Sequence, residues 1–232
     1  MSSNSWFTQI RDICLLYKLP HPIQLLKNQL SKENYKKLVK SHVVDHWEEL
    51  LRAEAALLSS LTFFLPNFMS LTKPHPLWST AESSPSKISM ATVQARMISG
   101  RYRTEMLCSN WSKNTSGCCL LSTECKLIPE DIPHILANCA ALQETRHSLK
   151  KFTTVKCRSL TSVTRQLIDR FCTPSSPKFI QFLLDCSVLP EVISAVQQEG
   201  ADVLFSLFGI TRTWVYTLHK VRLKQLNRWN LI

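Results

Sequence analysis

Cys119, Cys125, His134 and Cys139 fall in one short stretch of this sequence, spaced six, nine and five positions apart in turn. Thiolate and imidazole are ligands that suit zinc, and three sulfurs with one nitrogen make a closed, structural set with no open position for catalysis. Gathering ligands from a short span costs little loop-closure entropy. The last interval lies in the range that zinc fingers use, whereas the first is wider than their usual gap of about two to four residues. Cys118 is an alternative to Cys119, with Cys108 a more distant reserve. Asp131, Pro133, Ile135 and Leu136 imply a short helix carrying His134, with Cys139 just beyond its end. The competing reading is a set of inert thiols, because free cysteine packs as a small hydrophobe.

Cations gather on both sides of this stretch. Arg96, Arg101 and Arg103, with Tyr102, Trp111 and Lys113 close by in sequence, have the chemistry to grip phosphates while an aromatic ring stacks on an unpaired base. Arg212, Lys220, Arg222, Lys224 and Arg228, interleaved with Trp214, Tyr216, His219 and Trp229, form a second group of that kind. The alternative for the second group is a solvated helix face above buried aromatics. Its charges are spread around the helical turn, which argues against a helix lying on an anionic membrane. His42, Asp45 and His46, with Glu49 nearby, approach a His-x-x-Asp-His zinc pattern but carry Asp where a base would be Glu, and a polar helix surface is the simpler reading.

The rest of the sequence excludes more than it offers. There is no G-x-S-x-G turn, phosphate-binding glycine loop or dinucleotide fingerprint, and the chain has only 4 glycines. No catalytic residue and no small-molecule substrate are therefore expected. The 28 Lys and Arg against 17 Asp and Glu leave a formal charge of +11, which favours polyanionic partners, RNA or DNA first. No apolar run is long enough to span a bilayer. Charges interrupt the apolar N-terminal stretch, so no signal peptide is read. With nine cysteines, an odd count, a reducing nuclear or cytoplasmic setting is expected rather than secretion, and the triplets at Asn110 and Asn114 carry no glycosylation meaning.

The elements that must position these groups read as helices, because glycine is scarce and β-branched runs are few. Helical spacing of apolar residues marks Ser5 to Leu19, ended by Pro20 and Pro22, then Ile23 to Lys27, then a long helix from about Lys32 into the low sixties, capped by Ser31. Its wide apolar stripe includes Tyr35, Trp47, Leu50 and Leu57. Further helices are expected over Ile88 to Gly100, with Gly100 as the C-terminal cap, and around Ala141 to Lys151, Leu160 to Phe171, Pro177 to Asp185, Pro190 to Gln198 and Ala201 to Trp229. The expectation is an all-α protein, an irregular helical bundle with a small zinc-knuckle insertion. It divides into an N-terminal helical region (1–63), a Pro-rich connector (64–87), a basic helix with the Cys-Cys-His-Cys knuckle (88–145) and a C-terminal helical region (146–232).

Several stretches together carry a resemblance. RMISGRYRTEMLCSNWS, CLLSTEC and PHILANCAAL, with VKSHVVDHWEELLRAEA, FMSLTKPHPLWSTAESSP and TRTWVYTLHKVRLKQLNRW, resemble the region downstream of the reverse transcriptase in LINE-type (non-LTR) retrotransposon polyproteins. The likeness runs through nearly the whole chain, with the motifs in the same order. It implies a helical module ending in a Cys-Cys-His-Cys zinc knuckle that binds RNA or DNA, with Cys119, Cys125, His134 and Cys139 as ligands and Arg96, Arg101 and Arg103 at the basic helix end. The chain departs from the pattern in the wide first interval and in Ala140, where a proline commonly follows the last ligand. The paired acidic residues of a polymerase and the endonuclease are absent, so the resemblance implies a detached, non-catalytic tail that binds RNA or single-stranded DNA. The alternatives are a helical module that docks a protein partner, or a non-functional remnant.

Overall fold

Local chemistry sets the helix boundaries in the computed structural model of the chain, which describes residues 5–58 and 61–228. Ser5, Ser31, Thr104 and Thr161 each accept a backbone N–H with the side-chain oxygen at a helix start, satisfying donors that a first turn leaves without partners. Pro22, Pro76, Pro85 and Pro190 stand in first turns, where a missing N–H costs nothing. The result is all-α, as expected. Among the described residues there is no strand, only one antiparallel bridge between Cys118 and Pro129.

The chain separates into two compact units, 1–58 with 66–74, and 59–65 with 75–232. The first holds α1 (Trp6–Leu16), α2 (Pro22–Lys27), α3 (Lys32–Leu57) and a 3-10 turn, Pro66–Phe68. Helix α3 ends at Leu57, short of the low sixties. Arg52 ties the returning chain to it by donating to Glu48 at 2.7 Å and to the Met69 carbonyl at 2.8 Å, while Leu71 N–H donates to Glu48 at 2.7 Å. The backbone donor from Leu71, opposed by partial burial, holds the Glu48 carboxyl below its usual range. The apolar stripe of α3 is only half covered: no residue of the helix is buried, and Cys14 is the one buried hydrophobic of the unit among the described residues. Two short helices and a turn offer too little surface to cover a helix of about 39 Å.

The second unit contains the core. It comprises α4 (Pro76–Ser79), α5 (Pro85–Ile98), α6 (Glu105–Ser109), α7 (Gln143–Cys157), α8 (Ser162–Phe171), α9 (Phe179–Leu184), α10 (Pro190–Glu199) and α11 (Asp202–Arg228). Helix α11 is the axis, packed against α5, α7, α8, α9 and α10. Trp214 at its middle meets Phe179 edge to face at 5.8 Å, and its indole N–H donates to Thr153 on α7 at 2.8 Å. Phe182, Phe208, Leu183 and Leu207 are fully buried in the same core cluster. Inside the former connector range, α4 and the start of α5 are helical, because Pro76 and Pro85 open helices here rather than break them.

Gln94 is a buried polar clamp between three helices. Its amide donates to the carbonyls of Leu183 at 2.6 Å and Leu184 at 2.8 Å, and lies 3.4 Å from Thr211 Oγ1. Gln94→Leu strands those acceptors in the interior, so urea denaturation should show a loss of about 2 kcal/mol. An unchanged midpoint would show that the carbonyls do not need this donor.

Candidate functional site

The segment between α6 and α7 holds side chains inward with short helical turns and one bridge in place of long elements. Gly117, at φ 72°, turns the chain where an added Cβ would lie 2.9 Å from Ser109 Oγ, so glycine alone fits without a shift. Two strand-like bonds follow, Cys119 N–H to Ile128 O at 2.9 Å and Glu130 N–H to Gly117 O at 3.0 Å, and they close the wide first interval into a hairpin-like loop. Ser122 Oγ caps a 3-10 turn, Thr123–Cys125, that presents Cys125. Asp131 Oδ1 accepts the His134 N–H at 2.7 Å, and the wide π-type turn His134–Asn138 brings Cys139 N–H back to the His134 carbonyl at 2.7 Å.

Cys119, Cys125, His134 and Cys139 thereby converge. All four are buried, with ligand atoms within 4.8 Å of one another, close enough to hold a metal ion. The Sγ atoms of Cys119 and Cys139 are 3.8 Å apart. Both ring nitrogens of His134 are buried with no hydrogen-bond partner, which a buried imidazole rarely tolerates unless a ligand satisfies one of them. The thiol of Cys139, pointing at Cys119, holds Cys119 well below the usual thiol range against the opposing effect of burial, while Cys139 is raised by that same contact and by burial. A cation would replace the shared proton. Ala140 N–H donates to Cys125 Sγ at 3.4 Å, and Arg146 donates to the Cys139 carbonyl at 2.6 Å. Of the two adjacent cysteines it is Cys119 that joins the set. Cys118 is half-buried, with Sγ 3.6 Å from the Ser116 carbonyl, because alternation across the bridge at Cys118 sends its side chain to the other face.

The structure divides the expected phosphate contacts into two classes. Arg96, Arg101 and Arg103 are exposed, with no ion pair or side-chain hydrogen bond among the described residues. Gly100, at φ 66°, ends α5 with Arg101 N–H on the Arg96 carbonyl at 2.8 Å and Gly100 N–H on Met97 O at 3.2 Å, and that reversal sets the arginines at the helix end. Trp111 is 76% exposed and Lys113 is exposed beside it. Lys220, Lys224 and Arg228 are exposed as well, four residues apart, and form one row on α11.

Arg212 and Arg222 are corrections to the sequence reading, because both are interior. Arg212 donates to the carbonyls of Phe208 at 3.1 Å, Leu77 at 3.3 Å and Thr80 at 2.9 Å, tying α11 to α4. Arg222 pairs with Glu130, a carboxylate that no motif in the sequence marks. Burial works against the Arg222 charge, but the hydrogen bond and charge of Glu130 outweigh it, so the guanidinium stays charged. Tyr102, expected to stack on a base, is buried instead, with its hydroxyl 2.9 Å from His219 Nδ1 and the Arg222 guanidinium 5.6 Å from its ring centre. Burial, with Arg222 and Arg96 nearby, pushes His219 below the ordinary histidine value. With Arg212 and Arg222 removed from the surface, the charges expected around α11 reduce to its single exposed row. Trp214 is core, and Trp229 lies outside the described residues.

His42 and His46 have structural surroundings. His42 Nδ1 lies 3.1 Å from the Tyr17 carbonyl, and His46 packs edge-on against Tyr17 at 5.1 Å and Trp47 at 5.7 Å. They do not gather into a ligand group with Asp45 or Glu49; among the described residues the one Cys/His cluster is that at Cys119. No described helix is long and apolar enough to cross a membrane. No protein-family model, curated protein or solved structure matches this chain.

Proposed function

We propose that this chain is a non-catalytic nucleic-acid-binding module, related to the tail of a non-LTR retrotransposon polyprotein, that takes RNA or single-stranded DNA on Arg96, Arg101 and Arg103 and uses a zinc knuckle as scaffold. The observation that carries the reading is that these three guanidiniums, at one helix end, are exposed and form no salt bridge among the described residues. Guanidinium is a planar fork suited to phosphate, and of the neighbouring carboxylates only Glu105 bears on Arg103, with no salt bridge formed among the described residues. Trp111 and Lys113 add an exposed ring and a further cation on the loop that leads to the metal ligands. The Lys220, Lys224 and Arg228 row extends the basic surface.

Zinc is the metal this ligand set favours. Three thiols and one imidazole match its preference, and metal–sulfur bonds of about 2.3 Å in a tetrahedron put sulfurs about 3.8 Å apart. The Cys119 to Cys139 separation of 3.8 Å agrees with that. When bound, zinc would supply structure rather than chemistry, since all four positions are filled by protein.

A salt titration tests the binding. Neutralising three phosphates on a single strand gives a slope of log K against log salt of about −2 from these arginines alone. Replacing all three with Gln should flatten the measured slope by about that amount and weaken binding at low salt by at least about tenfold. If the wild-type chain captures neither RNA nor single-stranded DNA at low salt, the reading is wrong. A second reading, a protein-docking module, is favoured by the first unit, where Trp6, Leu15, Leu26 and Leu57 leave a large apolar surface open to solvent. Failure of nucleic-acid binding would turn attention there.

A further inference from the structure

Beside the exposed arginines the second unit has a cavity of about 370 Å³, set between the end of α5, the loop to α6 and the last turns of α11. Arg96, Arg101, Arg103 and Arg222 line it together with Glu105 and His219, and Leu223, Leu226 and Tyr102 form the rest of the wall. Its size is that of a small-ligand pocket. A single nucleotide fits such a volume.

Charge narrows the ligand further. Four guanidiniums stand against the carboxylates of Glu105 and Glu130, which leaves a net charge of about +2 at this cavity. A phosphodiester carries a single negative charge, whereas a phosphomonoester carries about −1.5 to −2 at neutral pH. A second observation points to a missing acceptor at this wall. Arg222, 3% exposed, spends Nη2 on Glu130, while its Nε is buried and has no hydrogen-bond partner.

We infer that this cavity seats a nucleoside phosphomonoester, the phosphorylated end of a nucleic-acid strand, with the phosphate among the arginines and the nucleoside on the apolar side at Leu223. The strand as source rests on the function proposed above; a free nucleoside monophosphate has the same chemistry. Terminal-phosphate capture would give the module polarity, since it would bind a strand at its end rather than anywhere along its length.

The test uses the full chain and short single-stranded oligonucleotides of one sequence with an internal fluorophore, ending in a 5′-phosphate, a 3′-phosphate or hydroxyls only. Fluorescence anisotropy should show one phosphate-ended strand bound about tenfold more tightly than the hydroxyl-ended strand, the increment of an added charge-assisted arginine pair. Arg101→Gln with Arg103→Gln, both exposed, should erase that preference. Lys220→Gln with Lys224→Gln should weaken all three strands and keep it. Adenosine monophosphate should compete with the phosphate-ended strand and leave the hydroxyl-ended one bound. Equal affinity for all three strands overturns the pocket while leaving nucleic-acid binding intact. Binding of adenosine monophosphate with no strand bound supports the pocket and overturns the strand reading, and binding of neither overturns both.

Discussion

Removing the knuckle ligands should unfold the middle of the second unit. Cys125→Ser with His134→Ala is expected to abolish stoichiometric zinc in the purified chain and to broaden or abolish its cooperative thermal transition. Structural zinc in small sites is worth on the order of 10 kcal/mol of apparent binding free energy, which is of the size of a domain's whole stability. The effect should reach beyond the loop, because hydrogen bonds through Glu130, Met106 and Arg146 join it to α6, α7 and α11. Chelator should reproduce it in the wild type. The expected pH dependence has a definite sign: metal binding displaces the proton that Cys139 shares with Cys119, so affinity falls as pH falls. Elemental analysis giving the same metal content in both proteins, or none in the wild type, would falsify the zinc assignment.

The Glu130–Arg222 pair should be the costliest single contact to break. Glu130 is 0% exposed and Arg222 is 3% exposed; Glu130 also accepts the Glu105 N–H at 3.1 Å, so one carboxylate anchors α11 and the start of α6 together. Glu130→Gln keeps the shape and removes the charge, leaving a guanidinium uncompensated in the interior. Such losses run to about 3–5 kcal/mol, measured here by urea denaturation. Combining it with Arg222→Met removes the stranded charge, so the double variant should recover at least about 2 kcal/mol relative to the sum of the two single ones. Strict additivity would show that the pair does not act as a unit. Because Arg222 also lines the cavity, the double variant links this stability element to the anion pocket.

The apolar surface of the first unit bears on how the chain behaves in solution. Leu26 is 75% exposed and Leu57 is 85% exposed, and several other large side chains of α1 to α3 are open as well. Where such side chains form a contiguous patch, they mark a contact site. The helices themselves are well specified by caps and spacing, so the exposure reflects a shortage of covering elements within the unit rather than poor helix formation.

What the sequence determined by itself was local. Helix starts could be read because Ser, Thr and Pro act within one turn, so Ser31, Pro190 and Thr161 stand where helices begin and Gly100 where one ends. The four residues close enough to hold a metal could be read for the same reason, since residue type and short spacing confine them to one loop. Tertiary structure decided whatever depends on distant partners. Charge alone made Arg212 and Arg222 look like Arg101 and Arg103. Only the arrival of the Leu77 and Thr80 carbonyls and of Glu130, all far away in sequence, turned the first two inward. The choice of Cys119 over Cys118 rested on a single bridge at Pro129, because neighbouring residues in extended chain face opposite ways. The cavity between α5 and α11 has no signature in either helix alone, since a concave site is made by where two elements meet and not by the side chains of one.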